Sequence, residues 1–202
     1  MNHLTNWADL PDDVWDACLD RALALKATKA WPRTAIDRAI ALVFLNPSLR
    51  TRASMELAAA RLGAESVTLT PGTGTWGLEW RDGVVMDGTA AEHVREAFGV
   101  LGRYADALGV RTFASLTDYD ADHSDAAFRA IVAASDVPVV NLESARWHPC
   151  QALADAAALQ ETGHHRAGAP VAGLAAHRAD QRVAVGGKCE RAVDDRFYPR
   201  HL

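Results

Sequence analysis

Helical and strand patterns alternate along the first 161 residues, and this alternation narrows the folds available to the chain. Residues 40–45 form a continuous apolar run of strand length, which is typical of a strand buried in a parallel sheet. Residues 11–30, before it, carry apolar side chains at helical spacing. Residues 49–62, after it, have the pattern of a helix that Gly63 ends. The sequence therefore predicts an α/β fold, a three-layer parallel sheet with helices on both faces.

The same alternation continues beyond Gly63. The further predicted elements are a strand at 66–70, a loop at 71–87, a helix at 90–104, a strand at 107–111, a helix at 122–134, a strand at 137–141 and a helix at 149–160. We expect residues 1–161 to form one domain.

The composition changes at residue 162. Residues 162–202 hold 7 Lys/Arg against 4 Asp/Glu, so this tail is +3 while the preceding part is −8. Four of the eight histidines lie in the tail. We expect an irregular tail, which is either disordered or the product of translation in a shifted reading frame.

Charge and hydropathy argue against two classes of partner. The net charge of −5, without a Lys/Arg cluster over most of the chain, argues against nucleic acid. No apolar run approaches the roughly 18 residues of a membrane span, and the N-terminus does not have the pattern of a secretory signal.

The cysteines Cys18, Cys150 and Cys189 are far apart and lack metal-site spacing. A reduced, cytoplasmic protein without a metal is the simplest interpretation.

The first candidate site is the run Asn46-Pro47-Ser48-Leu49-Arg50-Thr51-Arg52, which joins a predicted strand to a helix. A helix N-terminus offers free N–H groups and the positive end of the helix dipole to an anion. Ser48 suits the N-cap, and the arginines add charge and forked donors for phosphate. The run indicates either a phosphate site or only a capped helix with two exposed arginines.

The two arginines of this run cannot serve one anion equally. Positions 50 and 52 differ by about 200° around a helix. We expect Arg50, in the first turn, to face the anion, and Arg52 to turn toward the sheet edge or a neighbouring acidic group.

The second candidate site is the run Trp147-His148-Pro149-Cys150-Gln151, between the last predicted strand and its helix. His148 and Gln151 share one face of the first helical turn, and an imidazole there can donate to a carbonyl oxygen. The alternative is an ordinary hydrogen-bonded histidine. We interpret Cys150 as a buried small residue and not as a nucleophile.

Arg111 ends the predicted strand at 107–111, so a third strand end carries a cation. Ligands of open α/β sheets bind at the carboxyl ends of strands. Three such ends with polar groups predict a single site at this edge.

Both runs resemble signatures of the aspartate/ornithine carbamoyltransferase family. Residues 48–52 resemble its Ser-x-Arg-Thr-Arg signature, and residues 148–155 resemble its His-Pro-x-Gln-x-Leu-x-Asp signature, about a hundred residues later. The context is similar to the N-acetylornithine and N-succinylornithine branch: Phe44-Leu45-Asn46-Pro47, Trp76, Val85-Met86-Asp87-Gly88, Glu92-His93 and Leu101-Gly102-Arg103-Tyr104. The resemblance covers residues 4–161.

The resemblance implies a function and a set of site residues. The reaction would transfer the carbamoyl group of carbamoyl phosphate to the δ-amine of an N-acylornithine in arginine biosynthesis, without metal or cofactor. The residues implied to bind the phosphate are Ser48, Leu49, Arg50 and Thr51. The residues implied to hold the carbamoyl group are Arg111, His148 and Gln151. Trp76 is implied to enter the active site of a neighbouring subunit in a homotrimer.

Two departures from the family pattern affect these expectations. The chain has Ala91-Glu92-His93 where N-acetyl members have Glu-Glu-His, so Ala91 leaves room for a longer succinyl group and removes a charge. The acyl preference, acetyl or succinyl, stays open. The tail at 162–202 does not resemble the family's amino-acid-binding domain, so we expect negligible transfer by this chain alone. The competing hypothesis is a non-catalytic carbamoyl phosphate-binding fragment or pseudoenzyme.

Overall fold

The structure is a computed structural model that describes residues 3–162. Residues 163–202 lie outside the described part, and so does the prediction of an irregular tail. The elements within residues 3–162 are α1 (Asp12–Thr28), β1 (Ala39–Phe44), α2 (Leu49–Leu62), β2 (Glu65–Leu69), β3 (Gly77–Glu79), β4 (Ala90–His93), α3 (Val94–Tyr104), β5 (Ala107–Phe113), α4 (Tyr119–His123), α5 (Ala126–Ala134), β6 (Val139–Ser144) and α6 (Pro149–Glu161).

Four strands form the main sheet in the order β2-β1-β5-β6, and all three pairings are parallel. Ile40 pairs with Ala107 and Leu108 pairs with Val139, so the strands end at one common edge. The predicted α/β class and parallel sheet are therefore confirmed.

Helices cover both faces of this sheet, which explains the continuous apolar run in β1. Ala41 and Val43 pack with α3 and α5 on one face, where Phe98, Phe128 and Ile131 are fully buried or nearly so. Leu42 and Phe44 point to the other face, toward Met55 of α2. Each successive residue of β1 is buried on alternate sides.

The α1 helix packs against α6 around Trp7, Trp15 and Leu19, and the rings of the two tryptophans meet edge to face at 4.8 Å. Trp7 also donates from its indole nitrogen to the carbonyl oxygen of Pro149 at 2.8 Å. This contact fixes the start of α6 against the N-terminal segment.

Three predicted elements differ from the structure in type or in the number of segments. The predicted loop at 71–87 contains β3, and the start of the predicted helix at 90–104 is the strand β4, which pairs with β3. Both strands are too short for a period-2 pattern to stand out. The predicted helix at 122–134 is divided into α4 and α5 by Asp125, whose φ of 56° lies in the left-handed region.

The last strand is displaced from its predicted position. We predicted 137–141, whereas β6 spans Val139–Ser144 and ends in Asn141-Leu142-Glu143-Ser144. Polar residues are uncommon in a buried strand, and these lie where the strand enters the candidate site. None of the described helices is long and apolar enough to cross a membrane.

Candidate active site

A cavity of about 600 Å³ opens at the carboxyl edge of the sheet, where β1, β5 and β6 end. Residues from both signature runs line it together with the end of β5. The predicted site residues in its wall are Ser48, Arg50, Thr51, Arg111, His148 and Gln151. The fold thus brings into one cavity side chains that are about a hundred residues apart in sequence.

The N-terminus of α2 forms one wall of the cavity. Ser48 is the N-cap in extended conformation, and its hydroxyl accepts from Thr51 N at 3.3 Å. The first turn of α2 holds no acidic residue that would compensate the helix dipole. The side chain of Leu49 is 86% exposed and lies outside the cavity, so only its backbone can serve an anion there. This end of α2 has the chemistry of an anion site.

Arg50 and Arg52 leave α2 on different sides, as predicted. Arg50 lines the cavity. The Nε atom of Arg52 donates to Glu56 Oε1 at 3.0 Å, and Thr68 of β2 donates to the same oxygen at 2.6 Å. Arg52 therefore supports Glu56, which joins α2 to the sheet edge, and Arg50 is the arginine of this pair that lines the cavity.

Arg111 lies between the two signature runs and is 7% exposed. Its Nε and Nη2 donate to Glu143 Oε2 at 3.1 and 2.8 Å. Its Nη1 donates to the carbonyl oxygens of Asn46 and Pro47, both at 3.0 Å. A guanidinium has five N–H donors, so these four bonds leave one Nη2 hydrogen for a ligand. The arginine is fixed before a ligand arrives.

The third wall comes from the N-terminus of α6. His148 precedes the helix, Pro149 occupies its first turn, and that turn contains no acidic residue. Gln151 donates from Nε2 to Asp155 Oδ1 at 2.8 Å, one helical turn later. Because this bond fixes the amide, the carbonyl oxygen of Gln151 is left as an acceptor for a ligand N–H.

Cys150 also borders the cavity, and its thiol does not have the properties of a nucleophile. Burial raises the pKa of Cys150 to about 11. A nucleophilic cysteine needs the opposite shift, because the thiolate is the reactive form. No group of three His, Cys, Asp or Glu residues within the described range could hold a metal ion.

Sequence reasoning missed Glu143, which binds Arg111 and lines the cavity. The two residues are cross-strand partners in the register of β5 and β6. An acidic residue at the end of an apolar strand is a signal for a site residue, but Glu143 lay outside the strand predicted at 137–141 and was therefore not considered. Burying a cation at the end of one strand requires a counter-charge on its neighbour.

The residues predicted to determine acyl specificity lie elsewhere in this chain. Ala91 and Glu92 belong to β4, and Trp76 immediately precedes β3. The indole nitrogen of Trp76 donates to Glu92 Oε2 at 2.8 Å, while the ring is 59% exposed. None of the three lines the cavity described above.

The comparisons with known proteins agree with this geometry. Residues 2–161 match the model of the aspartate/ornithine carbamoyltransferase, carbamoyl-P binding domain. The chain belongs to this family. The cavity of this chain lies in the part that the family model describes as binding carbamoyl phosphate.

Curated relatives include N-acetylornithine and N-succinylornithine carbamoyltransferases. The chain is 44% identical over 161 residues to the N-acetylornithine carbamoyltransferase of Xanthomonas campestris pv. campestris, covering 80% of this chain and 47% of that protein. It is 39% identical over 125 residues to the N-succinylornithine carbamoyltransferase of Bacteroides thetaiotaomicron, covering 62% of this chain and 39% of that protein. The chain thus spans about half the length of the curated relatives that it matches.

Solved structures show the same fold. A glutamate-to-alanine variant of N-acetyl-L-ornithine transcarbamylase, complexed with carbamyl phosphate and N-succinyl-L-norvaline, matches with a TM-score of 0.77 and 43% identity over 81% of this chain and 49% of that one. Acetylornithine transcarbamylase complexed with acetylcitrulline matches with a TM-score of 0.76 and 43% identity, over 81% and 48%.

Proposed function

We propose that this chain carries the carbamoyl phosphate half of a carbamoyltransferase that acts on an N-acylornithine in arginine biosynthesis. The observation that carries the proposal is the cavity itself. It joins the first turn of α2, the fixed guanidinium of Arg111 and the first turn of α6 in a chain of the carbamoyltransferase family.

Each wall of the cavity suits one part of carbamoyl phosphate. The dianionic phosphate binds at the N-terminus of α2, where Arg50, the hydroxyls of Ser48 and Thr51 and the backbone N–H groups of residues 49 and 50 donate to its oxygens. The carbamoyl carbonyl oxygen accepts from the remaining Nη2 hydrogen of Arg111 and from His148. The carbamoyl NH₂ donates to the carbonyl oxygen of Gln151, which Asp155 orients.

This arrangement stabilises the charge that develops during transfer. The δ-amine attacks the carbonyl carbon, the carbon–oxygen bond to phosphate breaks, and the amine loses a proton, so the products are an N-acylcitrulline and phosphate. Negative charge grows on the carbonyl oxygen and on the leaving phosphate. Arg111 and His148 face the first charge and Arg50 the second, and both arginines are charged beforehand.

The acyl group is proposed to be succinyl. Ala91 occupies a position where N-acetyl members have a glutamate, and a methyl group there leaves room and removes a negative charge. The solved glutamate-to-alanine variant complexed with N-succinyl-L-norvaline supports this preference.

Domain organisation and assembly form part of the same proposal. Residues 1–161 are the carbamoyl phosphate-binding domain, and a homotrimer brings Trp76 and Ala91 of one copy to the cavity of the next. The exposed ring of Trp76, fixed by Glu92, is consistent with a surface that a second copy covers. The cytoplasmic location stays a prediction.

Calorimetric titration of the full 202-residue chain with carbamoyl phosphate and with inorganic phosphate tests the site. We expect both to bind and carbamoyl phosphate to bind more tightly, because the walls formed by Arg111, His148 and Gln151 contact only the carbamoyl group. Sulfate is the control for a site that recognises charge alone. Absence of binding by carbamoyl phosphate would contradict the proposed function.

A steady-state assay with N-succinylornithine and N-acetylornithine separates an enzyme from a binding module. We expect binding without appreciable transfer by this chain, since orienting the amine contributes on the order of 7–11 kcal/mol and requires groups that bind the second substrate. Turnover at roughly 10 per second would show that those groups are present. Preference for the acetyl substrate in such turnover would contradict the role given to Ala91.

A further inference from the structure

A buried carboxylate lies beside the cavity without lining it. Asp125 is 7% exposed and sits between α4 and α5. Its Oδ2 accepts from the hydroxyl of Ser144 at 2.6 Å, and its Oδ1 accepts from Ala145 N at 3.2 Å. Both donors belong to the segment 144–148 (the β6–α6 loop), which ends in His148.

The backbone of Asp125 adopts a conformation that L residues rarely take. Its φ of 56° and ψ of 36° lie in the left-handed region, which Asp and Asn tolerate better than other non-glycine residues. Burial raises the pKa of this carboxyl, while the hydrogen bonds from Ser144 and Ala145 lower it. A strained backbone and a buried carboxylate both reduce the stability of the fold, and strained residues of this kind cluster at functional sites.

The hydroxyl of Ser144 is saturated. It donates to Asp125 and accepts from Asn141 Nδ2 and from Trp147 N, both at 3.1 Å. The carbonyl oxygen of Trp147 lies 3.5 Å from the same hydroxyl, so Asp125 Oδ2, at 2.6 Å, is the better acceptor for the proton. A hydroxyl has one proton and two lone pairs. Asp125 therefore sets the direction of the hydroxyl proton and leaves one lone pair for Asn141 of β6 and one for Trp147 of the loop.

The consequence reaches the cavity. Trp147 N bonds to the Ser144 hydroxyl, and Ser144 N donates to Trp147 O at 2.9 Å, so the loop is closed into a tight turn directly before His148. Ser144, Trp147 and His148 all line the cavity. We propose that Asp125 is a positioning residue, which acts through Ser144 to place the β6–α6 loop and His148 against the carbamoyl group. This proposal rests on the proposed function.

A second carboxylate at the same corner provides a matched control. Asp122 is 6% exposed and accepts from Ser115 N at 2.9 Å, Ser115 Oγ at 3.0 Å and Leu116 N at 2.9 Å. The loop it holds follows β5, and neither Ser115 nor Leu116 lines the cavity. Asp122 and Asp125 thus have similar burial and similar numbers of hydrogen bonds but different loops.

The variant Asp125→Asn tests the proposal with little change of shape. Asparagine tolerates the left-handed backbone, but its NH₂ must face either the saturated hydroxyl of Ser144 or the N–H of Ala145, so one of the two hydrogen bonds is lost in either orientation. We expect the dissociation constant for carbamoyl phosphate to rise about tenfold, the usual effect of losing one charge-assisted hydrogen bond. Inorganic phosphate, which contacts the α2 wall, should bind as it does to the unmodified chain. A general loss of structure would weaken both ligands together.

Calorimetric titration of the full chain gives the ratio of the dissociation constants of carbamoyl phosphate and inorganic phosphate, and thermal melts report the stability of each variant. The change in this ratio tests the proposal. Asp122→Asn should lower the melting temperature and leave the ratio of the two dissociation constants unchanged. If Asp125→Asn does not fold, Ser144→Ala removes the other half of the same hydrogen bond and is expected to change the ratio in the same direction. An unchanged ratio in the folded variant overturns the role of Asp125 and leaves the proposed function intact. If the unmodified chain binds neither ligand, the proposed function fails and this inference fails with it.

Discussion

At the residue scale, the site depends on side chains that are fixed before a ligand binds. Four of the five donors of Arg111 already have partners, and Asp155 orients the amide of Gln151. Arg50 differs, since it lines the cavity and no hydrogen bond or ion pair of its side chain occurs within residues 3–162. The guanidinium of Arg50 can therefore bind an anion without first breaking a hydrogen bond or ion pair to another described residue.

We expect Arg50→Ala to weaken binding of phosphate and carbamoyl phosphate tenfold or more, because a charge-assisted hydrogen bond contributes roughly 1.5–3 kcal/mol. Arg52→Ala is the matched control. Its ion pair with Glu56 is exposed, so its loss should change the free energy of unfolding only slightly and leave affinity unchanged. Calorimetric titration and thermal melts of both variants separate the effects. Equal losses of affinity would mean that both arginines face the anion.

Glu79 makes the fold sensitive to acid. Hydrogen bonds from Arg81 lower the pKa of Glu79 from 4.5 to about 2. A depressed carboxyl pKa contributes stability above the unfolded value, and this contribution is lost as the pH falls from about 4.5 to 2. In Glu79→Gln we expect a lower melting temperature at neutral pH and a flatter dependence of it across this window. Glu65→Gln, at an exposed position of β2, is the control, and melting curves that keep their acid slope in Glu79→Gln would refute the assignment.

At the scale of elements, the sequence was informative where one interaction dominates. The bounds of α2 were predicted because Ser48 and Gly63 cap it by ordinary local chemistry, and β1 was predicted because both its faces are buried. The break at Asp125 was missed, since its cause is a tertiary contact with the β6–α6 loop. Glu143 was missed for a similar reason. Its position in a strand is stabilised by Arg111, a partner 32 residues away.

The close packing of β5 leads to a prediction about glycine. A Cβ at Gly109 would lie 2.8 Å from Leu42 Cδ2 and 3.1 Å from Leu142 Cδ1, in the apolar cluster under α2. We expect Gly109→Ala to reduce the free energy of unfolding by about 1–3 kcal/mol through overpacking. Gly99→Ala, inside α3, should raise it by about 0.5–1 kcal/mol, since a Cβ there meets no heavy atom of the described residues within 4 Å. Urea denaturation of both variants measures the difference, and stabilisation by Gly109→Ala would show that the leucines move aside easily.

At the scale of the whole molecule, the cavity is made by three strand ends and two helix starts that are distant in sequence. A ligand that binds only this arrangement stabilises the entire domain. At a concentration 100 times the dissociation constant, linkage contributes about 2.7 kcal/mol. For a domain of this size we expect carbamoyl phosphate to raise the melting temperature by about 5–10 °C. The same total ligand concentration should give a much smaller rise in Arg50→Ala, and equal rises would place the ligand elsewhere.

The order of the strands also has a kinetic consequence. The central pairing of β1 with β5 joins residues 67 positions apart, from Ile40 to Ala107. Such a topology has a high contact order. The entropy of loop closure is lost before the strands can pair and stabilise the chain, so the chain should fold more slowly than its helices form. Arg111 meets the carbonyls of Asn46 and Pro47 only once this pairing is complete. The ligand pocket therefore cannot form before this long-range pairing does, and until then the strand edges are open to aggregation.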